Sequence, residues 1–512
     1  MKSKFNFKLL VLALLFLAIS CEKDELIKQR KSSAPAVVAP SPGTANFSKY
    51  VAIGSSTSAG FTDGALYPAG QSYSFPNIIA SQLALTGGGQ FNQPLISSGD
   101  GFSGSTNTDG SLRGRSFINT TSGTIQFKTG SALISSTGSV SNFGVPGARL
   151  IDAAVIGYGT LNPFFGRFQS AATASILSDA IAANPTLFTF WMGDNDVLGY
   201  ATNGGAAGEA FTATNPLTLT STDAFSVSIA GIFNAFGNRP GFVLNIPPVT
   251  ILPFFQVVTS SAAGFRLIPL DAATATAVNV AYAQYNGGLQ LAVAGGLITQ
   301  SEASRRTINF VAGANAPVIT DESLTSLAAL GLPSMRQADA NDRYPLTASA
   351  VIGTRQTPNN PNSVIGVGVP VPDQFTLTFS EQVNVITRTA QLNGIIAAQV
   401  AARSSLTLVD THPVFANLFG LMPAQATGLA LTPAGVQAAD GVLGIRVEGA
   451  TLVPLSLSAT AIFSSVFSSD GVHPNGQGAA LIANEVIKAI NQRFSATVPQ
   501  AKVSNYPSVR IN

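Results

Sequence analysis

The sequence predicts an α/β fold in which helices cover both faces of a parallel β-sheet. Short apolar segments alternate with helical segments along most of the chain, and this alternation is typical of parallel sheets. Three predicted strands, ending at Ile53, Met192 and Ile246, run directly into tight polar or proline turns. Because ligands of open α/β sheets bind outside the carboxyl ends of the strands, these turns could converge on one site.

The amino terminus has the features of a bacterial export signal. A lysine-containing region precedes the apolar residues 9–16, and small residues lead from Ala18 to Cys21. This segment resembles a lipoprotein signal, with Ala18 where such signals prefer Leu. The resemblance implies a signal peptide over residues 1–20 and a lipid on Cys21. A soluble secreted protein and an uncleaved anchor helix are the alternatives.

Residues 21–46 are predicted to form a flexible tether. A charged run, residues 22–25, is followed by a Ser, Ala and Pro stretch that ends near Gly43, and such a composition buries little surface. Acidic residues directly after a lipidated cysteine resemble the surface-export signal of some Bacteroidetes lipoproteins. This resemblance implies a lipid anchor in the outer membrane of the cell envelope. It does not specify on which face of that membrane the protein lies.

Composition restricts the classes of function. The chain has 512 residues, of which 46% are hydrophobic, enough for one large domain with insertions or for two domains. The first is favoured because the candidate catalytic residues lie at opposite ends of the chain. Cys21 is the only cysteine, which excludes disulfides within the chain and thiolate metal sites. With 27 basic and 25 acidic residues, nothing indicates nucleic-acid binding.

The first predicted elements surround a serine-rich turn. A buried strand from Tyr50 to Ile53 ends at Gly54, and a helix is predicted from Phe75 to Leu85. Ser74 is the expected N-cap of this helix, and Pro76 is tolerated in its first turn. Residues 87–140 are dense in Gly, Ser, Thr and Asn and are predicted to form an insertion of loops and hairpins, with a strand near 124–128.

Helices and strands alternate through the rest of the chain. The further predicted strands are Leu187–Met192, Phe242–Ile246 and Leu406–Val409. The further predicted helices are Arg149–Ile156, Gln169–Ala183, Asp223–Phe236, Asp271–Leu291, Glu381–Ala402 and Asn475–Ile490. Residues 298–373 are predicted to be irregular and lie within a second insertion near 250–465.

A serine nucleophile needs a general base and a group that orients the base. The chain has only two histidines. His473 follows Asp470 by three positions, and this spacing on a turn lets the carboxylate reach Nδ1 while Nε2 faces the serine. His412 follows Asp410 by two positions and is the weaker candidate, expected to cap a helix or to line the pocket.

These residues belong to four short blocks, between Tyr50 and Ile490, that resemble the SGNH (GDSL-type) hydrolase family. The run Gly-Ser-Ser-Thr-Ser-Ala-Gly at residues 54–60 corresponds to the family's Gly-Asp-Ser-Leu block, which makes Ser56 the nucleophile. Ser55 and Thr57 replace the usual Asp and Leu. The other matches are Gly147 in the second block, Asn195 in Gly-Asp-Asn-Asp, and Asp470 with His473 in Asp-x-x-His.

The resemblance implies a three-layer α/β/α, flavodoxin-like SGNH hydrolase domain over residues 47–512. It also implies an esterase or lipase that cleaves carboxylic esters without a cofactor or metal. In this reading Ser56 attacks, His473 moves the proton and Asp470 orients His473. The backbone N–H groups of Ser56 and Gly147 and the amide of Asn195 form the oxyanion hole. The expected substrates are acyl lipids or acetylated glycans.

The sequence also fits other interpretations. A catalytically silent surface lipoprotein that binds glycan or protein is the main one, and Ser55 and Thr57 favour it. Gly147 is also consistent with an ordinary Pro-Gly turn before a helix. Residues 193–196 are also consistent with an Asx-rich turn that caps the next helix. Residue 58 is Ser, so the Gly-x-Ser-x-Gly elbow of α/β-hydrolases is absent, and two distant histidines give no zinc-site spacing.

Overall fold

A computed structural model of the chain contains a five-stranded parallel sheet. It describes residues 39–97, 99–119, 124–136, 138–256, 268–412, 429–432, 435–438 and 466–508. The predicted signal peptide and Cys21 lie outside these residues. The sheet strands are β1 (Tyr50–Gly54), β2 (Asn142–Gly144), β3 (Leu187–Trp191), β4 (Gly241–Leu244) and β5 (Leu406–Val409). The sequence predicted four of these strands within a few residues of the observed bounds and did not identify β2.

The spatial order of the strands is β2-β1-β3-β4-β5. In this doubly wound order β2 lies on one side of β1, and β3, β4 and β5 follow one another on the other side. The side chains that follow β1 and β3 therefore flank the switch point, where open α/β sheets bind their ligands.

The described residues form twelve α-helices. They are α1 (Ser56–Ala59), α2 (Pro68–Ser72), α3 (Phe75–Ala84), α4 (Pro163–Gly166), α5 (Ile176–Ala182), α6 (Asn195–Thr202), α7 (Thr222–Phe236), α8 (Pro253–Gln256), α9 (Ala272–Ala294), α10 (Gln300–Arg306), α11 (Phe379–Ala401) and α12 (Gly476–Phe494).

Ring contacts along β3 show the two faces directly. Phe188 and Phe190 pack on Phe236 and Phe233 of α7, with ring centroids 4.1 and 5.3 Å apart. Trp191 packs edge-on against Phe75 of α3, at 5.4 Å. Because successive side chains of a strand point to opposite faces, α3 and α7 cover opposite sides of the sheet. The arrangement confirms the α/β class and is compatible with three layers.

The region inside the second predicted insertion has a hydrophobic core of its own. Buried side chains between Ile268 and Val371 form one cluster, separate from the cluster built around the sheet. Antiparallel pairs join Ile268–Leu270 to Gly313–Asn315 and Val318–Thr320 to Met335–Gln337. Residues 298–373 are therefore less irregular than predicted. Two further hairpins pair Arg113–Asn119 with Thr124–Thr129, and Leu429–Thr432 with Gly435–Ala438.

Two predicted helices are wrong in extent. In place of Arg149–Ile156 there is a single 3₁₀ turn, Leu150–Asp152, because the Asp152 carboxylate accepts both the backbone N–H and the guanidinium of Arg149 and closes the turn locally. The helix predicted from Gln169 begins only at Ile176. Ser175 caps it by accepting the N–H of Ser178, which fixes the start at that point.

The described end of the predicted tether lies against the last helix. The N–H of Thr44 donates to the carbonyl of Phe494 at 3.0 Å, and the N–H of Thr497 donates to the carbonyl of Ser41 at 2.9 Å. Residues 39–46 are thus held by hydrogen bonds to the folded body. Among the described residues, no helix combines the length and the hydropathy that a bilayer crossing needs.

Candidate active site

The candidate nucleophile lies in a tight turn directly after β1. Ser56 is the first residue of α1 and is 5% exposed. A Cβ at Gly54 would lie 1.9 Å from Ser58 Oγ and 2.7 Å from the carbonyl oxygen of Trp191, so only glycine fits where β1 turns. The amide of Asn142 in β2 donates to the carbonyl of Ser58 at 2.7 Å. These contacts fix the turn that carries Ser56.

The structure brings Ser56, His473 and Asp470 into one hydrogen-bonded chain. His473 Nε2 lies 2.9 Å from Ser56 Oγ, and His473 Nδ1 lies 2.9 Å from Asp470 Oδ2. The other carboxylate oxygen of Asp470 accepts the backbone N–H groups of Val472 and His473 at 2.8 and 2.9 Å. A single loop before α12 therefore supplies both the candidate base and the carboxylate that contacts it, at the three-residue spacing noted in the sequence.

Asp470 is held in its ionised form. Burial alone would raise its pKa, but the charge of His473 and the hydrogen bonds from His473 and Val472 outweigh burial and lower the pKa to about 2. A carboxylate that stays ionised at neutral pH keeps a proton on His473 Nδ1 and leaves Nε2 to accept from Ser56.

The two remaining predicted site residues lie at the same edge of the sheet. Gly147 has φ +78° in an exposed turn after β2, in the left-handed region that favours glycine. Asn195 begins α6 after β3, and its amide donates to the carbonyl of Ala148 at 3.0 Å. This contact ties the Asn195 side chain to the Gly147 turn and leaves its second amide hydrogen for another acceptor.

Contacts between neighbouring residues connect these turns to the nucleophile. The hydroxyl of Ser55 donates to Asp194 Oδ2 at 2.7 Å, and the N–H of Ser55 donates to the carbonyl of Trp191 at 3.2 Å. The N–H of Val145 donates to the carbonyl of Gly54 at 2.9 Å. The N–H of Ser56 points from the start of α1, where helix N–H groups have no carbonyl within the helix. The turns that carry Ser56, Gly147 and Asn195 thus follow neighbouring strand ends and contact one another.

Ser55 and Asp194 form a pair that the sequence did not reveal. Asp194 is buried, and burial raises its pKa, opposed by the hydrogen bond from Ser55 and by the charge of His473. An acid that the motif places at position 55 is therefore present at position 194, on the neighbouring strand end. No signal in a single sequence connects the two positions, because they are far apart along the chain.

His412 has a different environment. Asp410 Oδ1 accepts the amide of Asn245 at 2.7 Å and the backbone N–H of His412 at 3.0 Å. Asp410 therefore closes the turn after β5 through the backbone of His412. It is His473 whose ring lies between the serine and a carboxylate.

A second pair missed by sequence reasoning is Asp63 and Gly64, which contact the loop that carries Asp470. The N–H of Gly64 donates to Asp470 Oδ2 at 2.7 Å. An Asp-Gly dipeptide is a strong turn signal in any sequence. That signal predicts the turn but not its contact with a residue some 400 positions later.

Among the described residues, one group of carboxylates could hold a metal ion, and it is separate from the serine site. Oxygens of Glu322, Asp373 and Glu381 lie within 4.8 Å of one another. Burial and the charges of Glu322 and Glu381 raise the pKa of Asp373 to about 8. Burial likewise raises the pKa of Glu381 to about 8, opposed by hydrogen bonds from Thr378. Burial and mutual repulsion both favour the protonated forms of these carboxyl groups.

No family model matches the chain, and comparisons with curated proteins and with solved structures also find no match. The support for a function consists of the motif spacing and the geometry of the site. That geometry places a serine, a histidine and an ionised carboxylate in line at the carboxyl edge of a doubly wound parallel sheet.

Proposed function

We propose that the chain is a serine ester hydrolase of the SGNH (GDSL-type) class, with the corresponding three-layer fold. The observation that carries the proposal is the line of atoms from Ser56 Oγ through both His473 nitrogens to Asp470 Oδ2, with 2.9 Å at each hydrogen bond. Serine and histidine come from opposite ends of the chain, so local sequence does not force them together. Such a line is what activation of a serine hydroxyl requires.

In the acylation step, Ser56 Oγ bonds to the acyl carbon while its proton moves to His473 Nε2. The carbonyl π bond opens and leaves the negative charge on the former carbonyl oxygen. When the tetrahedral intermediate collapses, the bond to the leaving oxygen breaks, and His473 gives that oxygen the proton. The products are an alcohol and an acyl-Ser56 ester.

In the deacylation step, water takes the place of the alcohol. His473 Nε2 accepts one water proton as the water oxygen bonds to the acyl carbon, and returns it to Ser56 Oγ as the acyl bond breaks. Throughout, the ionised Asp470 stabilises the positive charge on the imidazolium. The released carboxylic acid and the restored serine balance the reaction without a cofactor.

The oxyanion would be held by the N–H groups of Ser56 and Gly147 and by the amide of Asn195. The contact between Asn195 and the carbonyl of Ala148 supports this assignment, because it orients the amide beside the Gly147 turn. Loss of one such donor typically costs ~10²–10³ in turnover.

An aromatic ring beside the base favours esters with apolar groups. The Phe61 ring lies 5.0 Å from the His473 ring, and Phe164 packs edge-on against Phe61 at 6.1 Å. The leaving oxygen receives its proton from His473, so the alcohol part of the substrate would pass beside Phe61. We therefore rank lipid esters just ahead of acetylated glycans.

The matched pair Ser56→Ala and Ser58→Ala tests the proposal. Ser58 lies two residues on in the same motif, and its hydroxyl is buried with no hydrogen-bond partner among the described residues. Ser56→Ala should abolish hydrolysis of a chromogenic short-chain ester and labelling by a fluorophosphonate probe, whereas Ser58→Ala should retain both. Activity unchanged in folded Ser56→Ala would refute the assignment. A folded wild type that neither hydrolyses esters nor takes the label would favour the silent glycan- or protein-binding alternative.

The proposed location is the outer membrane, through a lipid on Cys21. The lipoprotein-like signal and the acidic residues after Cys21 support it. Metabolic labelling with a fatty-acid probe should mark the wild type and not Cys21→Ser. Equal labelling of the two would refute the anchor.

A further inference from the structure

The Asp63 and Gly64 pair forms a two-residue hairpin turn close to the candidate nucleophile. Both residues have positive φ, +52° and +69°. Thr62 and Ala65 exchange backbone hydrogen bonds across the turn, each 3.1 Å long. Positive φ at both central residues identifies a type I′ turn, for which Asp-Gly is a preferred sequence.

The carboxylate of Asp63 binds the loop that carries Asp470. Asp63 is 5% exposed. Its Oδ1 accepts the N–H and the hydroxyl of Ser469 at 3.1 and 2.9 Å, and its Oδ2 accepts the hydroxyl of Tyr67 at 2.7 Å. Its own N–H donates to Ser468 Oγ at 3.0 Å. The side chain of Asp63 thus holds Ser469, and its backbone N–H holds Ser468, the two residues that precede the catalytic acid.

The next residue of the turn contacts the catalytic acid itself. The N–H of Gly64 donates to Asp470 Oδ2 at 2.7 Å, and this is the same oxygen that His473 Nδ1 contacts at 2.9 Å. The direction of the Gly64 N–H therefore restricts how the Asp470 carboxylate can rotate. A shift of the turn would change the geometry of the bond to His473.

The same turn is joined to the hairpin of the first insertion. The N–H and the hydroxyl of Ser116 both donate to the carbonyl of Asp63, at 2.7 and 2.9 Å. Ser116 Oγ also lies 2.6 Å from Ser469 Oγ. The turn after the nucleophile, the strand Arg113–Asn119 and the loop before His473 meet in one buried hydrogen-bond network.

We propose that Asp63 is a positioning residue for the hydrolase, an inference that rests on the proposed function. Asp63 holds the loop of residues 468–470 so that Asp470 faces His473 while His473 faces Ser56. Both contacts with Ser469 are accepted by one oxygen, Oδ1, so the positioning role depends on an acceptor oxygen at this place. Asp63 touches no reacting atom and acts only through Asp470.

Asp63→Gly is the decisive variant, because glycine adopts the same backbone conformation without strain and removes only the carboxylate. Misplacement of the acid should lower kcat about ten- to a hundredfold with KM unchanged. Asp63→Asn keeps an oxygen for Ser469 and should recover most of the activity. Asp179→Asn is the matched control, since this buried carboxylate also binds the N–H and hydroxyl of a serine, Ser170, away from the site. It should retain kcat.

A second measurement does not depend on turnover. The chain has only two histidines, so the far-downfield proton resonance of a carboxylate-bonded imidazole N–H is readily assigned with ¹⁵N-histidine. The wild type and Asp179→Asn should show this resonance for His473, and Asp63→Gly should weaken or shift it. If the wild type hydrolyses no ester, the hydrolase proposal fails while the resonance still tests the positioning role.

A folded Asp63→Gly protein with wild-type kcat and resonance would overturn the proposal. If Asp63→Gly does not fold, Ser469→Ala decides, because it removes the hydroxyl contacts of Ser469 with Asp63 and Ser116 and keeps the backbone N–H contact with Asp63. Ser469→Ala should then lower kcat and perturb the resonance to a smaller extent. Unchanged kcat and resonance in Ser469→Ala would overturn the proposal equally.

Discussion

At the scale of single residues, the notable pair is Ser55 and Asp194. A serine stands at position 55, where the resemblance leads one to expect an acid, and an acid at position 194 contacts it. Ser55 looks like a defect when the motif is considered alone. Its hydroxyl donates to Asp194 at 2.7 Å, so the turn still contains a buried acid with a partner. The hydroxyl at position 55 therefore contacts an acid on the neighbouring strand end.

This pairing predicts that restoring the motif is harmful. Ser55→Asp would place a second carboxylate against Asp194 in a buried site, at a cost of about 3 kcal/mol in the free energy of unfolding. We expect a lower denaturant midpoint and a lower kcat/KM for Ser55→Asp. The double variant Ser55→Asp with Asp194→Ser should recover both quantities.

Thr57→Leu is the control, because it restores the other motif residue without adding charge. It should leave stability near that of the wild type. A Ser55→Asp protein at least as stable and active as the wild type would contradict the pairing.

The Asp-x-x-His block shows how far residue-level prediction reaches. The spacing of Asp470 and His473 predicts their contact, because the three-residue separation on a turn restricts the geometry. The network around Asp63 could not be predicted, because its partners, Ser116 and Ser469, come from two distant segments. Contacts between residues a few positions apart can be predicted from their spacing, whereas hydrogen bonds between distant segments cannot.

At the scale of elements, helices with strong caps and clear periodicity were predicted well. Phe75–Ala84 has the expected cap at Ser74, and α12 begins directly after Asn475, whose side chain accepts the N–H groups of Gln477 and Gly478. The predicted helix at Arg149 was wrong because a side-chain ion pair, Arg149 with Asp152, satisfies the backbone there. Apolar periodicity does not report such an interaction.

The start of α11 gives a pH prediction. The pKa values of Asp373 and Glu381 are raised to about 8 in the folded protein, against about 4 for unfolded carboxyl groups. The folded state therefore binds more protons than the unfolded state between these values. The corresponding stability is present at low pH and is lost as pH rises towards 8.

Glu381→Gln should flatten this part of the stability profile. Glutamine keeps the capping interaction with Thr378 and removes one titrating group and its repulsion of Asp373. Urea midpoints measured from pH 5 to pH 8 should fall less steeply for Glu381→Gln than for the wild type. Glu485→Gln, a partly exposed carboxylate on α12, is the control and should keep the wild-type slope. Equal slopes for Glu381→Gln and the wild type would contradict the raised pKa values.

At the scale of the whole molecule, two hydrophobic cores share one chain. The core between Ile268 and Val371 surrounds a buried Arg336, which binds Asp321 at 2.6 Å and Asp342 at 2.7 Å. The sequence did not predict this core, because its strands are only three residues long and give little periodic signal.

Because the two cores are separate, we expect that the insertion core can be destabilised without destabilising the core around the sheet. Arg336→Met would leave two buried carboxylates without their cation, at a cost of about 3–5 kcal/mol. Hydrogen exchange should increase within residues 268–371 and stay unchanged in β1 and β3, and probe labelling of Ser56 should persist. Arg305→Met, at an exposed position of α10, is the control and should change neither. Loss of protection in β1 together with the insertion would show that the cores unfold as one unit.

The contact of residue 44 with the end of α12 places the first described residues far from the candidate site. Helix α12 begins three positions after His473 and has 19 residues, so its far end lies about 28 Å along its axis from the base, at about 1.5 Å per residue. The chain that leads back to Cys21 departs from that far end. With a lipid on Cys21, the membrane would pull on the edge of the molecule opposite the serine. We expect the catalytic edge to face outward, towards esters that arrive from the surroundings.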